Sequence, residues 1–139
     1  AATDVYALGV ILYELLAGER PHKVRGDNPL SLLQAITDTD ATAPSESLRR
    51  RGSDTTTARP FSVRELKGDL DTIVLKVLNR DPLRRYPSAQ ALRDDLERYL
   101  RHQPIRARPD SLRYRLGKWL RRNRAVAAVA GMAAIGLMI

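Results

Sequence analysis

The chain has no cysteine, and among its 139 residues there is one Trp, one Phe and five Tyr. The absence of cysteine excludes disulfide scaffolds, thiolate zinc sites and cysteine nucleophiles. The two histidines, His22 and His102, lie about 80 residues apart and lack metal-ligand spacing. Glycine-rich phosphate loops and the H-E-x-x-H motif are also missing. The residues therefore predict no catalytic, cofactor-binding or metal site within this chain.

The charge is distributed unevenly. Residues 1–97 hold 14 basic and 15 acidic side chains, whereas residues 98–124 hold 10 basic and one acidic, and residues 125–139 hold none. A pI near 10.4 alone would suggest nucleic-acid binding. A basic segment directly before an uncharged apolar run is instead typical of a membrane-proximal region. We therefore expect no nucleic-acid partner, although a basic nucleic-acid-binding protein stays open as a less favoured alternative.

The apolar run from Ala125 to Ile139 predicts the first part of a transmembrane helix. It covers 15 residues and is ended by the chain terminus rather than by a polar residue, whereas a spanning helix needs about 20 residues. The arginines before it predict that residues 1–124 lie in the cytoplasm and that the chain crosses the inner membrane once. A buried core helix is the alternative. Ala127 and Gly131 form a small-xxx-small pair that suggests a homodimer.

Apolar periodicity predicts an all-α fold. We expect a central buried helix over residues 4–17, capped by Thr3 or Asp4 and ended by Gly18. Further helices are expected over residues 29–37, 70–79 and 89–100, with Ser88 as the N-cap of the last and a long loop over residues 38–67. In the helix over residues 70–79 the apolar side chains follow the spacing 0, 3, 4, 7, 8, and Asp69 and Asp71 are expected to mark its N-terminus. In the third of these helices, Ala89, Leu92, Leu96, Tyr99 and Leu100 are expected to face inward, and Asp94, Asp95, Glu97 and Arg98 to face water.

Residues 111–123 predict a basic amphipathic helix after a segment that two prolines interrupt. Leu112, Leu116, Trp119 and Leu120 share one face, and Arg and Lys occupy the other. This pattern is typical of a helix at a membrane interface. A helix packed on the globular part of its own chain is the alternative. We expect residues 111–139 to contact membrane lipids.

Two motifs resemble eukaryotic-type protein kinases. The segment ATDVYALGVILYELLAGERPH, from Ala2 to His22, resembles the stretch that follows the activation loop and opens the central helix of the large lobe. NRDPLRRYPSAQALRDDLERYL, from Asn79 to Leu100, resembles the end of that lobe, with its D-P-x-x-R-Y motif. GDLDTIVLKVL and PIRARPDSLRYRLGKWLRRNR look like bacterial serine/threonine kinases of a single-pass membrane type.

The resemblance implies a division of the chain into three parts. Residues 1–103 are expected to be the C-terminal part of a kinase domain, residues 104–124 a basic juxtamembrane segment, and residues 125–139 the start of a transmembrane helix. The chain begins with Ala1 and ends within the apolar run, so we expect a fragment of a longer protein.

The resemblance also implies a function and two supporting residues. The parent protein would transfer the γ-phosphoryl group of ATP, with Mg²⁺, to Ser or Thr hydroxyls of protein substrates. Asp4 matches the aspartate that accepts hydrogen bonds from the catalytic loop, and Arg85 matches the arginine that pairs with the glutamate ending the activation segment. The catalytic loop and magnesium site would precede Ala1, so we expect this chain alone to be inactive. A membrane-anchored pseudokinase or scaffold is the alternative.

Overall fold

The described part of the chain is helical and contains no strand. The computed structural model describes residues 2–22, 40–52, 61–109 and 112–123. The helices there are α1 (Ala2–Ala17), α2 (Pro44–Arg50), α3 (Val63–Leu66), α4 (Asp69–Val77), α5 (Ala89–Leu100) and α6 (Leu112–Arg122), with a 3-10 turn at Pro82–Arg84. The all-α prediction is confirmed for these residues, and the helix predicted over residues 29–37 lies outside them.

The first helix ends where the sequence predicts and begins earlier. Gly18 has a φ of 70° and donates its N–H to the Glu14 carbonyl at 2.8 Å, which is the left-handed stop that glycine permits. The predicted cap is wrong, because the helix already includes Ala2, and Asp4 lies in its first turn.

The loop predicted over residues 38–67 contains two short helices. Pro44 lies at the start of α2, Glu46 in its first turn, and Arg49 and Arg50 in its last, an arrangement that suits the helix dipole. α3 begins at a capping box, in which Ser62 and Glu65 satisfy each other's backbone N–H groups. Both signals are in the sequence, but the polar composition of the segment obscured them.

Two aspartates predicted to mark a helix N-terminus lie in the first turn of α4, as expected, and each also binds another element. Asp71 accepts hydrogen bonds from the Ser45 backbone N–H at 3.0 Å and from its hydroxyl at 2.5 Å, which fastens α2 to α4. Asp69 contacts the C-terminal part of the chain, as described below.

The core lies where α1, α4 and α5 meet. Its most buried side chains include residues of α1, α3 and α4 that are exposed by no more than 1%: Val5, Tyr13, Leu66, Ile73, Val74 and Val77. Gly9 allows α1 to approach α4 closely, because a Cβ at this position would come within 2.5 Å of a Val77 methyl group. The prediction that α1 is buried all round is wrong for one face, which is described below.

The predicted faces of α5 are wrong at three positions. Ser88 caps the helix by accepting the Ala91 N–H at 3.1 Å, as expected. Asp95, however, is 1% exposed, whereas Leu100 is 73% exposed and Ala89 is also exposed. The helix therefore turns a carboxylate inward near its middle and an apolar side chain outward at its end.

None of the helices within the described ranges is long and apolar enough to cross a membrane. The predicted transmembrane segment, Ala125 to Ile139, lies outside the described residues. The amphipathic helix before it is present as α6.

Substituting Gly9 by alanine is expected to destabilise the fold by about 1–3 kcal/mol, because the added methyl group overpacks the contact with Val77. The measurement is urea unfolding of the full chain, followed by circular dichroism in a non-ionic detergent. Gly117→Ala is the matched control. Nothing lies within 4 Å of a Cβ added there, so the better helix propensity of alanine should stabilise α6 by about 0.5–1 kcal/mol. Equal effects of the two changes would contradict the close contact.

Candidate functional site

Asp4 lies at one end of an exposed apolar stripe on α1. Its side chain is in the first turn and is exposed. Leu8, Ile11 and Leu15 follow at helical spacing and are 43%, 55% and 66% exposed. Residues spaced four, three and four apart lie on the same helix face. The first predicted site residue therefore belongs to an apolar surface that the described residues leave open.

Arg85, the second predicted site residue, also contacts α1. Its Nε donates to the Asn79 carbonyl at 2.7 Å, and its Nη2 donates to the Arg80 carbonyl at 3.3 Å. The guanidinium carbon lies 4.6 Å from the centre of the Tyr6 ring. Burial raises the pKa of Tyr6, and the positive charge of Arg85 partly offsets this effect. The structure thus brings Arg85 to the first turns of the helix that carries Asp4.

The other residues of the D-P-x-x-R-Y motif have structural roles. Asp81 accepts the Leu83 N–H at 2.9 Å and caps the 3-10 turn, which Pro82 begins. Tyr86 is buried, and its hydroxyl donates to Asp95 at 2.8 Å. Burial raises the pKa of Tyr86, and its hydrogen bond to the carboxylate raises it further. The motif therefore places an arginine at the surface of α1 and a tyrosine in the core.

Asp95 is an important residue that the sequence analysis missed. Besides the Tyr86 hydroxyl, its carboxylate accepts the backbone N–H groups of Arg106 at 2.7 Å and Ala107 at 2.8 Å. The segment after α5 is thereby held against the helix, and Ile105 joins the core at 3% exposure. The position of Asp95 offered one signal. It lies three residues after Leu92 and four before Tyr99, and residues at these spacings share one face of a helix.

A second buried carboxylate, Asp69, attaches α6 to the rest of the structure. Its Oδ2 lies 2.5 Å from the Lys118 ammonium group and accepts the Tyr114 hydroxyl at 3.0 Å. Its Oδ1 accepts from Arg108 Nη1 at 3.3 Å. The side chains of Asp69 and Lys118 are 7% and 10% exposed. Burial raises the pKa of Tyr114 to about 12, and its oxygen also accepts the Ile105 N–H at 3.0 Å.

Three apolar side chains of α6 point away from this contact. Leu116, Trp119 and Leu120 are 57%, 43% and 40% exposed. The arginines at positions 113, 115, 121 and 122 are exposed too. The helix therefore packs on the globular part of its own chain, as the alternative interpretation predicts. These three apolar residues remain accessible, and their contact with lipid stays a prediction.

Metal ligands are not grouped in the part of the chain that the structure describes. Within that part, no three His, Asp or Glu side chains are placed to hold a metal ion. The described residues therefore do not fit a Mg²⁺ site. The Asp4 carboxylate can accept hydrogen bonds, and the Arg85 guanidinium donates them to two backbone carbonyls.

Comparison with known proteins identifies the family. No family model matches the chain. It is 37% identical over 107 residues to the serine/threonine-protein kinase PknB of Mycobacterium tuberculosis, a match that covers 77% of this chain and 14% of that protein. It is 32% identical over 103 residues to PknD of Chlamydia caviae, covering 74% of this chain and 9% of the relative. A 38% identical match to PknB of Mycolicibacterium smegmatis covers 70% of the chain and 13% of the relative.

The chain therefore belongs to the bacterial eukaryotic-type serine/threonine kinases and matches the C-terminal portion of their kinase region. This confirms the resemblance carried by the two motifs. The chain spans about one seventh or less of the length of these relatives.

Replacing Asp95 by asparagine should destabilise the fold by about 1–3 kcal/mol, because an amide NH₂ cannot accept and one buried donor loses its partner. Urea unfolding measures the change. Asp94→Asn is the control, since this neighbouring side chain is only partly buried and bonds Gln90 on the same helix. We expect it to stay within about 0.5 kcal/mol of the original chain. A loss at position 94 equal to that at 95 would show that helix charge, rather than the buried contacts, is responsible.

The tyrosines should titrate abnormally in the folded chain. Burial raises the pKa of all five: Tyr6, Tyr13, Tyr86, Tyr99 and Tyr114. A pKa raised in the folded state contributes stability that is fully present below pH 10 and is lost as the pH rises toward the folded pKa. Absorbance at 295 nm should show tyrosinate forming above pH 10 in the folded chain, and near pH 10 in urea. Identical curves in the two conditions would contradict the burial.

Proposed function

We propose that this chain forms the base of the large lobe of a serine/threonine protein kinase. The parent protein would transfer the γ-phosphoryl group of ATP to Ser or Thr hydroxyls of protein substrates. Membership of the kinase family supports this proposal. Residues 1–103 would complete the lobe, residues 104–124 would lie under the membrane, and residues 125–139 would begin a single span of the inner membrane.

The apolar stripe on α1 is the observation that supports the proposal most directly. Three large apolar side chains on one helix face are 43–66% exposed, and burying each of them would contribute about 1.5–3 kcal/mol. Asp4 lies at the N-terminal end of the same face. In a complete kinase, the catalytic loop that Asp4 is expected to hold would pack here. The catalytic loop would then cover the apolar stripe and also bind the Asp4 carboxylate.

Arg85 supports the same arrangement from the other side of α1. Its guanidinium is already oriented by two backbone carbonyls and by the Tyr6 ring. An oriented guanidinium binds a carboxylate with two parallel hydrogen bonds. We infer that Arg85 holds the glutamate that ends the activation segment, in a position set by α1.

ATP and Mg²⁺ would be bound by other parts of the kinase. The described residues do not fit a metal site, and we assign no phosphoryl-transfer step to them. Asp4 would position the catalytic loop, and Arg85 the activation segment. Both would act through backbone or side-chain contacts without touching the nucleotide.

A chimeric kinase tests this function. Residues 2–109 would replace the matching segment of the kinase region of Mycobacterium tuberculosis PknB. We expect the chimera to phosphorylate casein with ATP and Mg²⁺. Asp4→Asn should lower kcat about 10- to 100-fold, because hydrogen bonds to a charged group are worth about 1.5–3 kcal/mol. Asp94→Asn is the control and should leave kcat unchanged. A folded, ATP-binding chimera that is equally active with and without the Asp4 carboxylate would overturn the role of Asp4.

The apolar stripe provides a separate test. In the chimera, Ile11→Ser should destabilise the kinase by about 1.5–3 kcal/mol, because the side chain becomes buried there. In the chain by itself, the same change should have little effect, since Ile11 is 55% exposed. Leu83→Ser, at a position that is 94% exposed, should be neutral in both. Equal effects of Ile11→Ser in both proteins would exclude an occupant of the stripe.

The reading frame that encodes the chain separates a kinase from a pseudokinase scaffold. Sequencing of the source DNA upstream of the Ala1 codon should reveal an H-R-D-x-K-x-x-N loop followed by D-F-G. A continuous frame without those aspartates would support the scaffold instead.

A further inference from the structure

Helix α6 contacts the kinase lobe through a polar edge. Tyr114 and Lys118 are four residues apart and therefore lie on one helix face. Both reach the buried Asp69 carboxylate. The Lys118 ammonium group also lies 5.7 Å from the centre of the Tyr99 ring on α5. This edge, Tyr114 and Lys118 with Asp69, is called the Asp69 contact below.

The Asp69 contact is built to hold one orientation. The carboxylate accepts from three side chains of different length and direction: an ammonium group, a phenol and a guanidinium. Tyr114 is in turn fixed by the Ile105 N–H, and Ile105 is part of the core. Because buried charge-assisted hydrogen bonds are directional, α6 cannot rotate about its axis without breaking several of them.

The outward face of α6 joins apolar and basic side chains. Leu116, Trp119 and Leu120 are exposed, and Arg113, Arg115 and Arg122 are exposed beside them. No acidic residue occurs from Ser111 to Ile139. Exposed Trp and Leu flanked by arginines is the composition of an interfacial helix on acidic lipid. We refer to Leu116, Trp119, Leu120 and these three arginines as the outward face.

A groove of about 420 Å³ runs beside the outward face. Pro104, Leu116 and Trp119 give it apolar walls, and the remaining lining residues are basic: His102, Arg115, Lys118 and Arg122. Apolar walls with cationic groups at the rim suit the glycerol and phosphate region of an anionic lipid. The groove adds shape to the complementarity in charge.

A bilayer fits this surface better than a nucleic acid. A surface that binds nucleic acid needs cationic side chains but does not need exposed leucines. The uncharged sequence Ala125 to Ile139 follows α6 after two residues. If that sequence enters a membrane, α6 is the helix nearest to the membrane surface. This part of the argument rests on the membrane tether in the proposed function.

We propose that α6 is a rigid bracket that lays the kinase lobe on an anionic bilayer. The outward face binds acidic headgroups and the upper acyl region, while the Asp69 contact fixes the lobe to the helix. The lobe is then held in one orientation at the membrane, rather than moving freely on a flexible tether.

Trp119 allows a direct test, because it is the single tryptophan of the chain. The full chain would be reconstituted in nanodiscs of phosphatidylcholine, with and without phosphatidylglycerol. We expect anionic lipid to reduce acrylamide quenching of Trp119 about threefold, as the ring enters the interface. In 1 M salt, where the screening length is about 3 Å, the protection should be lost. Equal quenching in neutral and anionic discs, whether high or low, would overturn the proposed lipid selectivity.

Matched charge variants locate the interaction. Arg115→Gln with Arg122→Gln should abolish the protection by anionic lipid. Arg93→Gln with Arg101→Gln removes the same charge from α5 and its C-cap and should leave the protection by anionic lipid intact. Arg93 and Arg101 are 62% and 70% exposed, and both pair with Glu97. Loss in both double variants would indicate a general charge effect and overturn the outward face as the binding surface. Equal protection of Trp119 by duplex DNA in place of lipid would favour the nucleic-acid alternative and overturn the proposal.

The bracket is tested by the orientation of the lobe. Because the chain has no cysteine, Leu83→Cys provides a unique label at a position that is 94% exposed. Energy transfer from this label to acceptor lipids should show one narrow lifetime distribution, which Asp69→Asn should broaden and Asp94→Asn should not. Tyr114→Phe, a change on α6 itself, should broaden it as well if Asp69→Asn impairs folding. An unchanged distribution in Tyr114→Phe and in folded Asp69→Asn would overturn the bracket.

Failure of this proposal can be distinguished from failure of the proposed function. If the chain co-floats with neutral vesicles but Trp119 stays accessible on anionic discs, the membrane tether stands and the bracket does not. Kinase activity is measured in the chimera, which contains only residues 2–109 of this chain and therefore lacks α6.

Discussion

Asp95 is buried to 1% exposure, and the path of the chain after α5 depends on its three hydrogen bonds. An ionised carboxylate in a core is tolerated only when donors surround it. Here two donors are consecutive backbone N–H groups of the segment that leaves α5, and the third is the tyrosine of the D-P-x-x-R-Y motif. Breaking this arrangement would leave one buried charge and three donors without hydrogen-bond partners. The direction of the chain toward α6 is therefore fixed by these hydrogen bonds together with the apolar packing of Ile105.

Asp69 has a similar role for α6, the next helix along the chain. Its carboxylate binds Tyr114 and Lys118 of α6, and Tyr114 accepts the N–H of Ile105 beside the Asp95 contact. The two carboxylates thus act in series, one holding the connecting segment and the other the helix. The basic segment that the sequence assigns to the membrane-proximal region is thus attached to the lobe at two points.

Helix positions were largely predictable because local signals set them. Gly18 and Ser88 act as predicted at helix ends, and the 0, 3, 4, 7, 8 apolar spacing located α4. Burial was less predictable, because it depends on partners distant in sequence. Asp95 was assigned to solvent since an aspartate usually prefers water, whereas its donors lie 9–12 residues away. Leu8, Ile11 and Leu15 were assigned to the core, yet no described element covers them. For the site, both predicted residues lie at α1, but the Asp69 contact required the folded chain.

The amphipathic pattern of α6 shows why a hydrophobic face does not by itself indicate which side of a helix packs. Leu116, Trp119 and Leu120 would ordinarily be expected to face the core, and here they face outward while a lysine is among the buried residues. Such an inversion is stable only if the buried cation has a carboxylate partner and the exposed apolar residues have a second apolar phase to enter. The structure supplies the partner in Asp69. In the proposal above, the arginines beside the apolar residues would attract acidic headgroups, and the surface of a bilayer would be that second phase.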